Sequence, residues 1–199
     1  MMLPKAILFD MDGTLTDEKI DWSDLRDELG VGPNEAILEA ILRMNAAERE
    51  RAEEILGHHE HQAASRSQLN LGCSDLLHWL DTRNIGRALI TRNTRKSVRT
   101  VFDLHGLHFD VAITREDGKF KPDPDPLFLA CDKLGVSKDD AWMVGDWKYD
   151  IEAANAAEMT GVWLSYGRDR PFDAIPDIVV HDLWDLFERL KRIAGESVL

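Results

Sequence analysis

Lys5-Ala6-Ile7-Leu8-Phe9-Asp10-Met11-Asp12-Gly13-Thr14 is an apolar run that stops abruptly on a carboxylate and a tight turn. A run this short, apolar on both faces and bounded by turn residues, fits a strand buried inside a parallel sheet. The same pattern recurs along the chain. Arg87–Ile90 stops at Thr91, Val111–Ile113 at Thr114, Ala141–Val144 at Gly145-Asp146, and Gly161–Leu164 at Ser165, with Ile178–Val180 as a sixth strand. Helical spacing fills the gaps: Asp75–Leu80, Arg95–His105, Pro126–Leu134, Ile151–Ala157 and Leu183–Ile193. Strand and helix in alternation predict an α/β fold, a doubly wound parallel sheet with right-handed crossovers.

One region breaks the alternation. Residues 17–71 offer no strand and read as a small all-helical insertion after the first strand, which leaves residues 1–16 and 72–199 as the α/β core. Within the insertion the pattern predicts a short helix over Ser23–Leu29. A longer one, capped by Asn34, runs to Leu56 with Ile37, Ile41, Met44 and Ile55 on one face, and a third spans His58–Ser67.

Composition narrows the function. A chain of 199 residues, 44% of them hydrophobic, suits one core domain with a modest insertion. No apolar run approaches the roughly 20 residues of a membrane helix. The stretch Met1–Asp10 lacks the apolar core and cleavage site of a signal peptide. Cys73 and Cys131 show no CxxC spacing and are expected to be buried thiols in a reducing, cytoplasmic setting. The net charge is -13 and there is no long Lys/Arg run, which argues against a nucleic-acid partner. A phosphate substrate would meet a repulsive global field, so its site must supply positive charge locally.

In an open parallel sheet, ligands bind beyond the carboxyl ends of the strands. The residues there are Asp10 and Asp12, then Thr91, then Asp146, with Lys121 and Asp150 on nearby connections. Clustered carboxylates repel one another without a cation, and oxygen-only ligands point to Mg²⁺. Thr91 offers a hydroxyl and Lys121 a fixed charge for a phosphate oxygen. Phosphoryl transfer needs mainly positioning and charge neutralisation, which this set supplies. Plainer readings compete. Asp10 and Asp12 could form a polar turn, but a calcium loop starting at Asp10 would need Gly where Leu15 stands. Thr91 could bond local backbone, Asp150 could be a helix N-terminal acid, and Lys119 rivals Lys121. His58, His59 and His61 read as a solvated helix face rather than a metal site.

Asp10-Met11-Asp12-Gly13-Thr14, Ile90-Thr91-Arg92-Asn93, Lys121-Pro122-Asp123-Pro124 and Gly145-Asp146 through Asp150 together resemble, in order, the motifs of the haloacid dehalogenase-like (HAD) superfamily, in its phosphoglycolate phosphatase-like branch. The resemblance implies a Mg²⁺-dependent phosphomonoesterase acting on a small phosphorylated metabolite, as a monomer or small homo-oligomer. Asp10 would be the nucleophile forming an aspartyl-phosphate, and Asp12 the acid and base. Thr91 and Lys121 would hold the phosphate. Asp10, Asp12 through its carbonyl, Asp146 and Asp150 would hold the metal. Gly13, Thr14, Arg92 and Asn93 are expected at the substrate. Residues 17–71 resemble a type 1 cap, the element that closes over the site and chooses the substrate in this family. This one is shorter than the four-helix caps of phosphoglycolate phosphatases. A phosphomutase of the same superfamily and a non-enzymatic phospho-switch are the alternatives.

Overall fold

A computed structural model describes residues 2–196; Met1 and residues 197–199 of the expected core spans lie outside the described residues. The chain forms two compact units.

The first unit comprises Met1–Asp17, Gln68–Arg92 and His108–Leu199. It is built on six parallel strands: β1 (Ala6–Phe9), β2 (Gly86–Ile90), β3 (Val111–Ile113), β4 (Ala141–Gly145), β5 (Thr160–Leu164) and β6 (Ile178–Val180). Their order is β3-β2-β1-β4-β5-β6, the doubly wound α/β arrangement. Both faces of β1 and β4 are buried, which is why they read as continuous apolar runs. At the β6 edge the pattern alternates and Val179 is exposed. The helices α4 (Cys73–Thr82), α6 (Asp125–Leu134), α7 (Lys148–Ala157) and α8 (Leu183–Ile193) belong to this unit. Leu127, Ala130 and Cys131 of α6 and Ala153, Ala154 and Ala157 of α7 join the strand residues Leu8, Ile90 and Met143 in one apolar cluster. Cys73 and Cys131 are both buried free thiols. Burial pushes them up, to about 12 and about 11, so both stay protonated and unreactive.

β1 and β4 pair through Phe9 and Val144, and the Asp10 amide extends that ladder by donating to the Val144 carbonyl at 2.9 Å. The strand order reverses between these two strands, which sets Asp10 and Asp146 side by side. The ends of the helical insertion are tied together within the same unit. The Asp17 amide donates to the Gln68 carbonyl, and the Gln68 amide to the Asp17 carboxylate, both at 2.9 Å.

The second unit comprises Glu18–Ser67 and Asn93–Leu107. It contains α1 (Trp22–Leu29), α2 (Ile37–Arg43), α3 (Ala46–Arg66) and α5 (Arg95–His105). Ile20, Leu25, Ile37, Ile41, Ala52 and Leu56 form its apolar centre. Two expectations are corrected here. The helix expected from Asn34 to Leu56 is broken at Met44, whose backbone is extended, and the residue at the start of its first piece is Ala36, not Asn34. Asn45 instead starts α3, accepting from the amides of Ala47 and Glu48 while Glu48 reaches back to the Asn45 amide. The separate helix expected over His58–Ser67 is the second half of that 21-residue helix. In addition α5, placed by sequence in the core span, clusters with the insertion. It runs along α3, where the Thr100 hydroxyl meets His61 Nδ1 at 3.3 Å and Ser67 meets His105 Nε2 at 3.0 Å.

Candidate active site

Lys121 organises the site. Its Nζ donates to Asp10 Oδ1 and to Asp150 Oδ1, both at 2.6 Å, and the side chain is 1% exposed. Lys119, its rival by sequence, lies at the surface between Asp123 and Asp125. Asp150 does two things at once. While Oδ1 meets Lys121, Oδ2 accepts from the Trp147 amide at 3.1 Å and caps α7. Asp150 is therefore both the acid that caps α7 and a partner of Lys121. Asp146 lies outside α7, immediately before its N-cap residue Trp147.

Asp10, Asp146 and Asp150 each bring a carboxylate oxygen to within 4.8 Å of the others. Three converging carboxylates with no nitrogen or sulfur donor suit a hard divalent cation. Two glycines make room for them. Gly13 has φ +78, and a Cβ there would lie 2.6 Å from Asp146 Oδ1. A Cβ at Gly145 would overlap the Asp150 carboxyl group.

The electrostatics follow from burial. Desolvation, reinforced by Asp150 and Asp146, raises the Asp10 carboxyl well above the usual carboxylate range despite Lys121. Burial alone would lower Lys121, but Asp10 and Asp150 outweigh it and hold the ammonium charged. Asp146 is pushed up to about 6, by burial first and Asp150 second, against the opposing pull of Arg168. A carboxyl raised in the folded state stabilises below its unfolded value near 3.8, and that contribution is lost as pH rises through about 6. In metal-free buffer Asp146→Asn is therefore expected to match the wild type near pH 4 and to exceed it by up to about 3 kcal/mol at pH 7. Denaturant titrations of both proteins in chelator across that range check this.

The remaining expected residues are placed as follows. Asp12 follows Met11 in the turn, and its Oδ1 accepts from the Thr16 hydroxyl at 3.4 Å. Thr14 is buried, and its carbonyl accepts from the Asn70 amide group at 2.9 Å. Thr91 is buried one residue beyond β2, its amide donating to the Ile113 carbonyl at 3.0 Å. Arg92 turns toward the protein: Nη1 donates to the Lys121 carbonyl at 2.6 Å, and the guanidinium carbon lies 3.9 Å from the Tyr149 ring centre and 4.9 Å from that of Phe120. Asn93 falls in the second unit. His59 pairs with Glu28 at 2.9 Å and His58 with Gln62 at 2.6 Å. Two residues went unnoticed in the sequence. Arg168 donates to Asp146 Oδ2 at 3.2 Å, and the Tyr166 hydroxyl lies 3.0 Å from the Asn70 amide nitrogen. Their signal was position, just beyond the carboxyl end of β5.

The family model described as haloacid dehalogenase-like hydrolase matches residues 4–158. A haloacid dehalogenase-like hydrolase domain-containing protein of Arabidopsis thaliana is 32% identical over 165 residues, covering 77% of this chain and 67% of the relative. A phosphoglycolate phosphatase of Pseudomonas putida is 31% identical over 211 residues, covering 91% of this chain and 78% of the relative. The crystal structure of a HAD phosphatase from Thermococcus onnurineus covers 100% of both chains at 27% identity and a TM-score of 0.69. No described helix is long and apolar enough to cross a membrane. On the match of residues 4–158 and the doubly wound sheet that carries them, the chain belongs to the haloacid dehalogenase-like hydrolase family.

Proposed function

We propose that this hydrolase is a Mg²⁺-dependent phosphomonoesterase that acts on a small phosphorylated metabolite through an aspartyl-phosphate at Asp10. The observation that carries the reading is Lys121 Nζ held 2.6 Å from both Asp10 and Asp150, inside the same cluster as Asp146. A buried lysine so placed keeps one Asp10 oxygen occupied and leaves the other for attack on phosphorus. As the Asp10 oxygen bonds to phosphorus, the ester P–O bond breaks and Asp12 gives a proton to the departing oxygen. Asp12 then takes a proton from water, whose oxygen displaces the Asp10 carboxylate and releases inorganic phosphate. Lys121 and the Thr91 hydroxyl hold the phosphoryl oxygens through both steps. Asp10, Asp146, Asp150 and the Asp12 carbonyl would hold Mg²⁺, which when bound offsets the charge of the carboxylates and the phosphoryl group.

The local cations also answer the net charge of -13, since the substrate need not be drawn in by the protein as a whole. Choice of leaving group is assigned to the helical segment 17–71. Relatives named phosphoglycolate phosphatase make 2-phosphoglycolate the first compound to test. The experiment is hydrolysis of a generic aryl phosphate and a panel of phosphorylated metabolites, with and without chelator. Activity is expected to vanish in chelator and return with added Mg²⁺. Undiminished turnover in chelator contradicts the proposal.

A further inference from the structure

We propose that Arg168 is a positioning residue that fixes the Asp146 carboxylate for the divalent cation, and that the segment from Ser165 to Phe172 holds Arg168 in place. The inference rests on the reading of Asp10, Asp146 and Asp150 as a cation site given above. It concerns a residue that none of the four sequence motifs contains.

Asp146 has little of its own to hold it. It follows β4 and precedes α7, so neither the sheet ladder nor the helix fixes its side chain. What holds it comes from two sides. On one side lies the bare Cα of Gly13, so close that a Cβ there would sit 2.6 Å from Oδ1. On the other, one Arg168 nitrogen, Nη2, donates to Asp146 Oδ2 at 3.2 Å and to the Asp146 carbonyl at 3.3 Å. The Trp163 indole donates to the same carbonyl at 3.0 Å. Backbone and carboxylate of Asp146 are thus both tied to the segment that leaves β5.

That segment is itself anchored. Arg168 Nε donates to the Ser165 carbonyl at 3.1 Å, and the Arg168 amide donates to the same carbonyl at 2.9 Å. Phe172 packs edge-on against Trp147 and Trp163, with ring centres 6.2 and 5.4 Å apart. The rings flanking Asp146 in sequence and in space therefore clamp the far end of the loop.

A carboxylate with one oxygen held by a guanidinium presents the other in a defined direction, and such partners of metal-binding carboxylates typically matter by 10–100-fold in affinity. The opposing effect is repulsion between Arg168 and the cation. Arg168 is 43% exposed, so water and salt screen that repulsion, whereas the hydrogen-bond geometry is not screened. Positioning is the larger effect.

The test is calorimetric titration of Mg²⁺ into metal-free wild type, Arg168→Ala, Arg168→Lys, Phe172→Ala and Asp146→Asn. Arg168→Ala is expected to bind Mg²⁺ about tenfold or more weakly than wild type. Arg168→Lys should bind more tightly than the alanine variant, because one ammonium can still reach Oδ2. Phe172→Ala, which touches no ligand, should weaken binding in the same direction by a smaller factor. Metal-free unfolding midpoints of the Arg168 variants should stay close to wild type, since the residue lies at the surface. If wild type binds and Asp146→Asn does not, but Arg168→Ala binds as tightly as wild type or more tightly, the positioning role is overturned and the cation site stands. If wild type itself fails to bind Mg²⁺, both are overturned.

Discussion

Asp10→Asn is expected to lower kcat/KM by about a thousandfold or more, the scale seen when a covalent nucleophile is removed. The amide keeps the size and shape of the carboxyl group, and its carbonyl oxygen can still accept the hydrogen bond that Lys121 gives Asp10. Its oxygen, however, carries no full negative charge and cannot displace an ester oxygen from phosphorus. Stability should not fall with activity. Burial and the neighbouring acids already disfavour the charged form of Asp10, so a neutral side chain in metal-free protein relieves repulsion. Steady-state rates with an aryl phosphate, alongside denaturant unfolding in chelator, separate the two. A variant that is folded, stable and inactive is the expected outcome.

Lys121→Met is expected to cost about 3–5 kcal/mol of stability at pH 8 in metal-free buffer, the usual penalty for stranding one side of a buried ion pair. Methionine fills nearly the same volume, so the loss reflects charge and not a cavity. Asp10 and Asp150 would then face each other without the ammonium that now touches both at 2.6 Å. Asp10, whose charged form burial already disfavours, can escape by taking up a proton, so the loss should shrink toward pH 5. Adding Asp150→Asn to Lys121→Met should restore part of the stability at pH 8, because it removes one of the stranded charges. A loss that is the same at both pH values and is not relieved by the second substitution would mean that Lys121 acts by packing alone. Unfolding curves of the single and double variants at the two pH values decide it.

Much of this site was legible because its residues obey local rules. Runs such as Ala6–Phe9 and Ala141–Gly145 are apolar on both faces only because both faces are covered, and the acids that end them mark the open edge of the sheet. Lys121 could be chosen over Lys119 by motif but not by physics, since both are lysines in one Pro-rich loop. Only the fold shows one buried between two acids and the other at the surface.

The helical insertion was harder. Ile37, Ile41 and Met44 continue a helical stripe straight through a point where the chain turns extended. The signal that breaks it, Asn45 with Glu48 three residues on, is an N-terminal cap hidden at the edge of a charged run. Gly57, which stands between the helices expected to end at Leu56 and to begin at His58, lies inside α3. A glycine inside a helix costs only about 1 kcal/mol relative to alanine, too little to end a helix of 21 residues. Arg168 was invisible for a different reason. It belongs to no motif, and its partner Asp146 lies 22 positions earlier, brought near only by the pairing of β4 with β5.

Acid-quenching the enzyme during turnover of an aryl phosphate, reducing it with borohydride and sequencing its peptides by mass spectrometry tests directly whether phosphoryl transfer passes through the Asp10 carboxylate. Reduction converts an acyl phosphate to homoserine, and Asp12→Asn, which should slow hydrolysis of the intermediate, should raise its yield. The expected result is homoserine at position 10 and at no other aspartate. Steady release of phosphate with residue 10 still aspartate in both proteins, or with the phosphoryl group on another side chain, would contradict it.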